Sequence, residues 1–418
     1  MTLLWSSRSE AVFDFDVTFC ASGCDYTTPA LAEAALDDAG SISDTTTKCG
    51  AWDAQSGTIA DATAVTWDAG ASSGTLHHMT DAGSSGEYML EVAAGTLDDN
   101  DIVSDGTNTF TLSGEDDSCS VTIRCAENGT FTNISIDGFT TDIDNKVYLT
   151  VDSAYRHNGT GSTGCLLSGT TGTISLSDPY TSAHWFRVTC SQSNAANLQC
   201  VSFSNAFGNW GMYVDKLIIY DGTNAGTGYM SGINLNHSAN TGNPTNYVTN
   251  TIVENCDGQG ILLNTSASGI DVEIYNSTFL NNDQYGIPAG GSGIQNIRNN
   301  IACGNAAGDY GGTYDSFVDS GSCDTSGSEA GLQSLSATTE FIDSVSDPPN
   351  LHLKAGATSI NSGTDYTTSP TGVNFDIDNY DRDAGAVVWD IGADECQTDC
   401  TAGGWVTVDS VFNDLYVF

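Results

Sequence analysis

The chain of 418 residues carries 53 acidic against 10 basic side chains, a formal net charge of −43, with 46 Gly and only 7 Pro. A field of that sign repels nucleic acid, anionic lipid heads and polyuronates, and a Gly excess without a three-residue period excludes collagen. Recurring Tyr, Phe, Trp and Ile argue against disorder, and no run of 18 apolar residues offers a membrane span, so neither a nucleic-acid nor a membrane partner is expected.

Residues 1–10 lack the basic and apolar runs of a secretory signal, as expected of a protein assembled inside a cell and released later. Residues 11–19 alternate weakly and read as an opening strand. Thr27 or Thr28 offers a helix cap and Pro29 suits the first turn. Leu31, Ala34 and Ala35 give one apolar face, so a short amphipathic helix ending at Gly40 is expected to cap the first coil. Residues 46–115 are rich in Ser, Thr, Ala, Gly and Asp, with strand candidates at 64–67 and 88–92. They read either as irregular first coils or as a small subdomain.

From Cys119 the alternation sharpens, with strands expected at 119–125, 134–140, 147–151, 174–176, 185–188, 198–203 and 217–220. Their spacing leaves no room for helical crossovers, which argues against βαβ units. Three similar phrases then follow, centred on Asn250, Asn276 and Asn299, 26 and then 23 residues apart. Each is a short apolar alternation ending in an Asn-rich corner, the period of one turn of a parallel β-helix. Ile, Val, Phe and Cys would stack inward coil upon coil. Asn tolerates the left-handed backbone of a corner, and a ladder of stacked amides is expected at Asn276 and Asn299.

Residues 351–363, 376–382 and 390–395 resume an ordered pattern after a looser stretch, and read as the closing part of the solenoid. The tail beyond Gly403 is apolar, with Trp405, Val408, Phe412, Leu415 and Phe418, and should be buried on the last coil or in another subunit. The expected organisation is 1–45 opening strand and capping helix, 46–115 irregular coils or subdomain, 116–396 parallel β-helix, and 397–418 docking tail. Thirteen Cys leave at least one thiol unpaired in the monomer. The close pairs Cys20/Cys24, Cys119/Cys125, Cys190/Cys200 and Cys396/Cys400 are disulfide candidates in an oxidising medium, and Cys256 and Cys303 could instead be core rungs.

Leu351 to Gly363, Asp376 to Arg382 and Asp390 to Glu395 resemble the closing segment of right-handed parallel β-helix proteins of the pectin-lyase-like superfold. Asn379 and Tyr380 stand where that segment usually has Gly. Asp25 to Thr28, Ile136 to Asp142 and Arg156 to Gly159 resemble β-helix proteins of tailed phages and their marine metagenomic relatives. The resemblance implies an all-β, right-handed parallel β-helix. It also implies a virion tail, fibre or capsid-associated protein, commonly a homotrimer.

No stretch declares an enzyme. The six Arg stand beside no obvious Asp cluster, and a glycan hydrolase would need two carboxylates on one face, for which Asp271 or Glu273 with Glu254 is the candidate meeting. His157 reads as a loop tie, and His77-His78 lack a partner at ligand spacing. Asp376, Asp378, Asp381 and Asp383 could hold a structural calcium through oxygen ligands. The leading expectation is therefore a structural, acidic virion surface protein that is not an enzyme. It would self-associate or bind other virion proteins through Trp405, Val408, Phe412, Leu415 and Phe418, and present a rigid face to a host-surface glycan. The alternatives are a glycan-binding or glycan-hydrolysing β-helix and a secreted or cell-surface adhesin of a marine or halophilic microbe.

Overall fold

Short alternating runs of Ile, Val and Leu bury every second side chain, and stacking such runs in register is what builds this molecule. The computed structural model describes residues 13–37, 47–60, 63–79, 86–97, 100–113, 119–139, 141, 146–170, 172–203, 211–236, 245–264, 271–290, 295–324, 333–346, 348–366, 373–382 and 388–396. These fall into two units, residues 1–124 with 137–148, and residues 125–136 with 149–418. Among the described residues no helix is long and apolar enough to cross a membrane.

In the first unit, strand Phe13–Phe19 precedes helix Pro29–Asp37. The Thr28 hydroxyl accepts the Leu31 amide at 3.2 Å, a side-chain cap ahead of Pro29. The helix turns Ala32 and Leu36 inward and leaves Leu31 53% exposed, so its buried stripe lies one residue away from the expected Leu31 face. Strands Thr47–Ser56, Thr63–Trp67, Ser72–Met79, Gly86–Ala94, Ile102–Ser104 and Thr109–Leu112 close into an antiparallel barrel. Its interior is filled by Trp52, Trp67, Leu76, Tyr88, Leu90 and Phe110.

The second unit is a right-handed parallel β-helix built on three parallel sheets. The first sheet runs through Thr181–His184, Tyr213–Asp215, Thr245–Thr249, Asp271–Tyr275, Gln295–Arg298 and Ser316–Val318. The second includes Arg187–Gln192, Ile218–Tyr220, Ile252–Glu254, Thr278–Leu280 and Ile301–Cys303. The third runs from Ile134–Ile136 through Ile174–Leu176, Leu198–Phe203 and Met230–Asn236 to Ile261–Asn264. The register stacks like on like. Ala183, Val214, Val248, Ile274 and Ile297 form one inward column, and Ile134, Ile174, Val201, Ile233 and Ile261 another.

The corner between the first two sheets is left-handed at Trp185, Lys216, Asn250, Asn276, Asn299 and Asp319, with φ between 42° and 69°. Asn is well suited to that conformation. The expected amide ladder at Asn276 and Asn299 is not what forms. Their side-chain amides donate instead to the carbonyls of Val373, at 3.0 Å, and Thr364, at 2.7 Å. The ladder runs one residue later. The Thr251 amide donates to Ser277 Oγ, the Ser277 amide to Asn300 Oδ1 and the Asn300 amide to Ser320 Oγ. A second ladder joins Cys256, Asn282 and Asn305. These side chains satisfy backbone amides that the corners take out of the sheets.

Disulfides join Cys20–Cys24, Cys49–Cys119, Cys125–Cys165, Cys190–Cys200 and Cys303–Cys323, and Cys256 is a buried free thiol. The expected pairing of Cys119 with Cys125 is corrected. They end a single strand, Cys119–Cys125, whose extension of about 3.3 Å per residue holds them far beyond bonding reach. Cys303 is buried in a hydrophobic core, as expected, and is also half of a disulfide.

Candidate functional site

The described parts of the closing segment, 350–366, 373–382 and 388–396, do not add a further coil. They lie back over the β-helix as a strap. Leu351, Leu353, Ile377, Ile391 and Ala393 pack on Ile218, Ile252, Leu280 and Ile301 of the second sheet. Its polar groups take up the corner column rung by rung. Asn299 pairs with Thr364, Asn276 with Val373, Asn250 with Arg382, and Lys216 with Asn379. Arg382 is fully buried and donates to Glu395 Oε2 at 3.1 Å and to the carbonyls of Gly392 and Ala393 at 3.0 and 2.9 Å. The loop tie expected of His157 is present. Its Nε2 donates to the Lys216 carbonyl at 2.7 Å, Nδ1 accepts the Gly159 amide, and burial pushes the ring down to about 4.

Within the strap, carboxyl groups crowd around one imidazole. His352 Nε2 lies 2.7 Å from Asp378 Oδ2, and its Nδ1 faces Asn350 Oδ1 at 2.5 Å. Asp394 Oδ2 accepts the Leu353 amide at 2.6 Å. Burial opposes charge on His352, but Asp394 and Asp378 outweigh it and hold the ring up at about 9. Burial raises Asp394 to about 6 against the pull of His352, and Glu395 to about 7 against the pull of Arg382. Asp376 is raised well above the carboxylate range by burial and by the charges of Asp378 and Asp394.

Of Asp376, Asp378, Asp381 and Asp383, Asp378 alone stands in a group of three metal-capable donors among the described residues. Its companions are His352 and Asp394, with the three ligand atoms all within 4.8 Å of one another. Asp376 is occupied otherwise. It accepts the amides of Asp378 and Tyr380 on one oxygen and of Glu395 on the other. Asp381 pairs with Phe375 in a bridge through the backbone alone, and Asp383 lies outside the described residues. The His/Asp/Asp group could chelate a divalent ion, and nothing in it singles out calcium. The run Leu351-His352-Leu353 was visible in sequence only as an apolar alternation, so the outward His between two buried Leu was the missed signal.

A second constellation lies on the outer face of the first sheet. The alternation that sends Val248, Ile274 and Ile297 inward sends Tyr247, Glu273 and Asn296 outward, in register on successive rungs. All three are partly exposed, as is Asp271, two residues before Glu273 on the same face. Glu273 is fixed by the Tyr275 hydroxyl at 2.7 Å and the Asn296 amide at 3.1 Å. Tyr275 stacks on Tyr366 of the strap at 5.5 Å, and the Arg298 guanidinium lies over both rings. The Tyr275 hydroxyl is held well above its usual range by burial and by Glu273. Glu254 does not join Asp271 or Glu273, because it is buried on the second sheet. The side chains of His77 and His78, and the tail residues Trp405, Val408, Phe412, Leu415 and Phe418, lie outside the described residues.

Compared with models of known families and with characterised proteins, the chain matches none. Among solved structures it is similar to the crystal structure of pectate lyase Pel9A, at 12% identity over 66% of this chain and 88% of that one, with a TM-score of 0.26. The expectation that the chain is not an enzyme is corrected, because a β-helix scaffold by itself gives no ground for excluding catalysis.

Proposed function

We propose that this chain is a glycan-directed β-helix that holds a neutral sugar chain along the outer face of its first sheet. One observation carries the reading, the in-register column Tyr247, Glu273 and Asn296 with Asp271 beside it. A tyrosine ring offers a stacking face for a pyranose, and a carboxylate and an amide orient its hydroxyls. Rungs about 4.8 Å apart nearly match the advance of an extended sugar chain. The net charge of −43 disfavours polyuronates and leaves uncharged or amino-bearing glycans. Asp271 and Glu273 put two carboxylates on one face, the minimum equipment of a glycoside hydrolase. The disulfides fit an oxidising, extracellular location.

The test is titration calorimetry against neutral β-glucan, xylan, mannan and galactan oligosaccharides, with a reducing-end assay on the same mixtures. One of them should bind, and Tyr247→Ala and Glu273→Gln should each weaken it at least about ten-fold, the loss of about 1.4 kcal/mol. If new reducing ends appear, Asp271→Asn and Glu273→Gln should abolish them. No binding at millimolar sugar, or binding indifferent to both substitutions, would refute the proposal.

A further inference from the structure

We propose that His352, Asp378 and Asp394 form a binding site for a divalent first-row transition cation, of the zinc or manganese class, that fastens the strap. The three donors come from three separate stretches of it, the strand Asn350–Leu353, the turn after Asp376 and the end of the segment. An ion at about 2.0–2.2 Å from each donor spans atoms up to roughly 4.4 Å apart, so a small rotation of one carboxylate closes a set that already lies within 4.8 Å.

Two features distinguish this group from an ordinary acidic cluster. The first is Asp378. Its side chain is only 5% exposed, one oxygen faces His352, and the other, Oδ1, is buried with no hydrogen-bond partner. A buried carboxylate oxygen without a donor is costly, and a cation supplies what the protein does not. The second is the orientation of the imidazole. With Asn350 Oδ1 accepting from Nδ1, the ring turns Nε2 to the Asp378 carboxylate at 2.7 Å, a contact that either a proton or a metal ion on Nε2 can fill. The arrangement is that of a metal-bound histidine whose far nitrogen is fixed by an outer partner. Asp394 is set in the same way, with Oδ2 held by the Leu353 amide.

The backbone leaves room for this. Gly159, at φ +70°, faces the group so closely that a Cβ there would lie 2.4 Å from Asp378 Oδ1 and 2.5 Å from His352 Nε2. One imidazole with two carboxylates suits Zn²⁺ or Mn²⁺, whereas Ca²⁺ takes six to eight oxygens.

The whole chain is stripped with chelator, dialysed into 0.15 M NaCl with 10 mM MgCl₂ to occupy the acidic surface, and reloaded with ZnCl₂, MnCl₂ or CaCl₂. Metal content and the melting temperature are then measured. Expected are about one zinc or manganese per chain, a rise in Tm of several degrees, and slower hydrogen exchange across 350–396. Calcium in the same buffer should give neither. His352→Gln and Asp378→Asn should bind less than about a tenth as much, and added zinc or manganese should leave the melting temperature of each variant where it is in chelator. Should a variant fail to fold, Co²⁺ added to the wild type reads the same point, by large paramagnetic shifts confined to one histidine ring. Stripped wild type that takes up no stoichiometric zinc or manganese, metal retained equally by both variants, or Co²⁺ that shifts no histidine would overturn the site and leave a proton as the occupant of Nε2.

Discussion

Removing the Arg382 guanidinium should detach the strap from the β-helix. Arg382 and Glu395 are both nearly inaccessible, at 0% and 3% side-chain exposure. Arg382→Ala leaves the Glu395 carboxyl without its countercharge, with the Asp390 amide still donating to it, and removes the donors to Gly392 and Ala393. Breaking one side of a buried ion pair costs about 3–5 kcal/mol. At about 2–4 °C per kcal/mol for a unit of this size, the melting temperature should fall by about 10 °C. Hydrogen exchange should quicken first in 350–396 and along the corner at Asn250, Asn276 and Asn299, which the strap covers. Arg382→Lys keeps the charge without the planar fork and should lie between the two. Arg382→Met with Glu395→Gln should recover part of the loss, because no charge is then left buried. A fall of under about 2 °C for Arg382→Ala, with exchange in the strap unchanged, would refute the claim that this pair holds it.

Three further outcomes are expected. His157 titrates near 4 when folded and near 6.5 when unfolded, so the unfolded chain binds the extra proton between those values, and the stability it gives is full above pH 6.5 and lost as pH falls toward 4. Wild type minus His157→Gln, measured by urea denaturation at pH 7 and pH 4, should shrink by roughly 3 kcal/mol, since the buried carboxyl groups titrate in both proteins and cancel in the difference. Asn300→Ala removes the acceptor of the Ser277 amide and the donor to the Ile274 carbonyl, and should cost about 2–4 kcal/mol in the same assay. Replacing Cys303 and Cys323 by Ala opens a loop of sequence separation 20 and should cost about 3 kcal/mol, read as a lower urea midpoint under non-reducing conditions.

The β-helix was legible in the sequence because its cause is local and repeated. A two-residue alternation at Val248, Ile274 and Ile297, returning after 26 and 23 residues, allows one way of burying those side chains, and the corner Asn residues say where the chain must turn. The same alternation already implied that Tyr247, Glu273 and Asn296 point outward. What it left open was their register, since a shift of one residue in any loop would have scattered them. The ladder was misplaced by one position for a related reason. Left-handed geometry belongs to Asn276 and Asn299, but the inter-coil bonds are made by Ser277 and Asn300, and the sequence does not say which of two neighbours faces the next coil.

The strap was legible as an ordered closing segment, but its fold-back over the coils was not. Its residues reach backward over coils made 65 to 163 positions earlier, as Arg382 does to Asn250, 132 residues away. The grouping of His352 with Asp378 and Asp394 follows from that fold-back alone. Spacing singled out Asp376, Asp378, Asp381 and Asp383 because near neighbours in sequence are the donors one can count. Backbone amides claim Asp376, and a distant histidine takes its place beside Asp378. Periodicity thus determined the scaffold, because it acts between residues one coil apart. Tertiary contact decided the site, because burial and charge act between whichever groups the strap brings within a few ångströms.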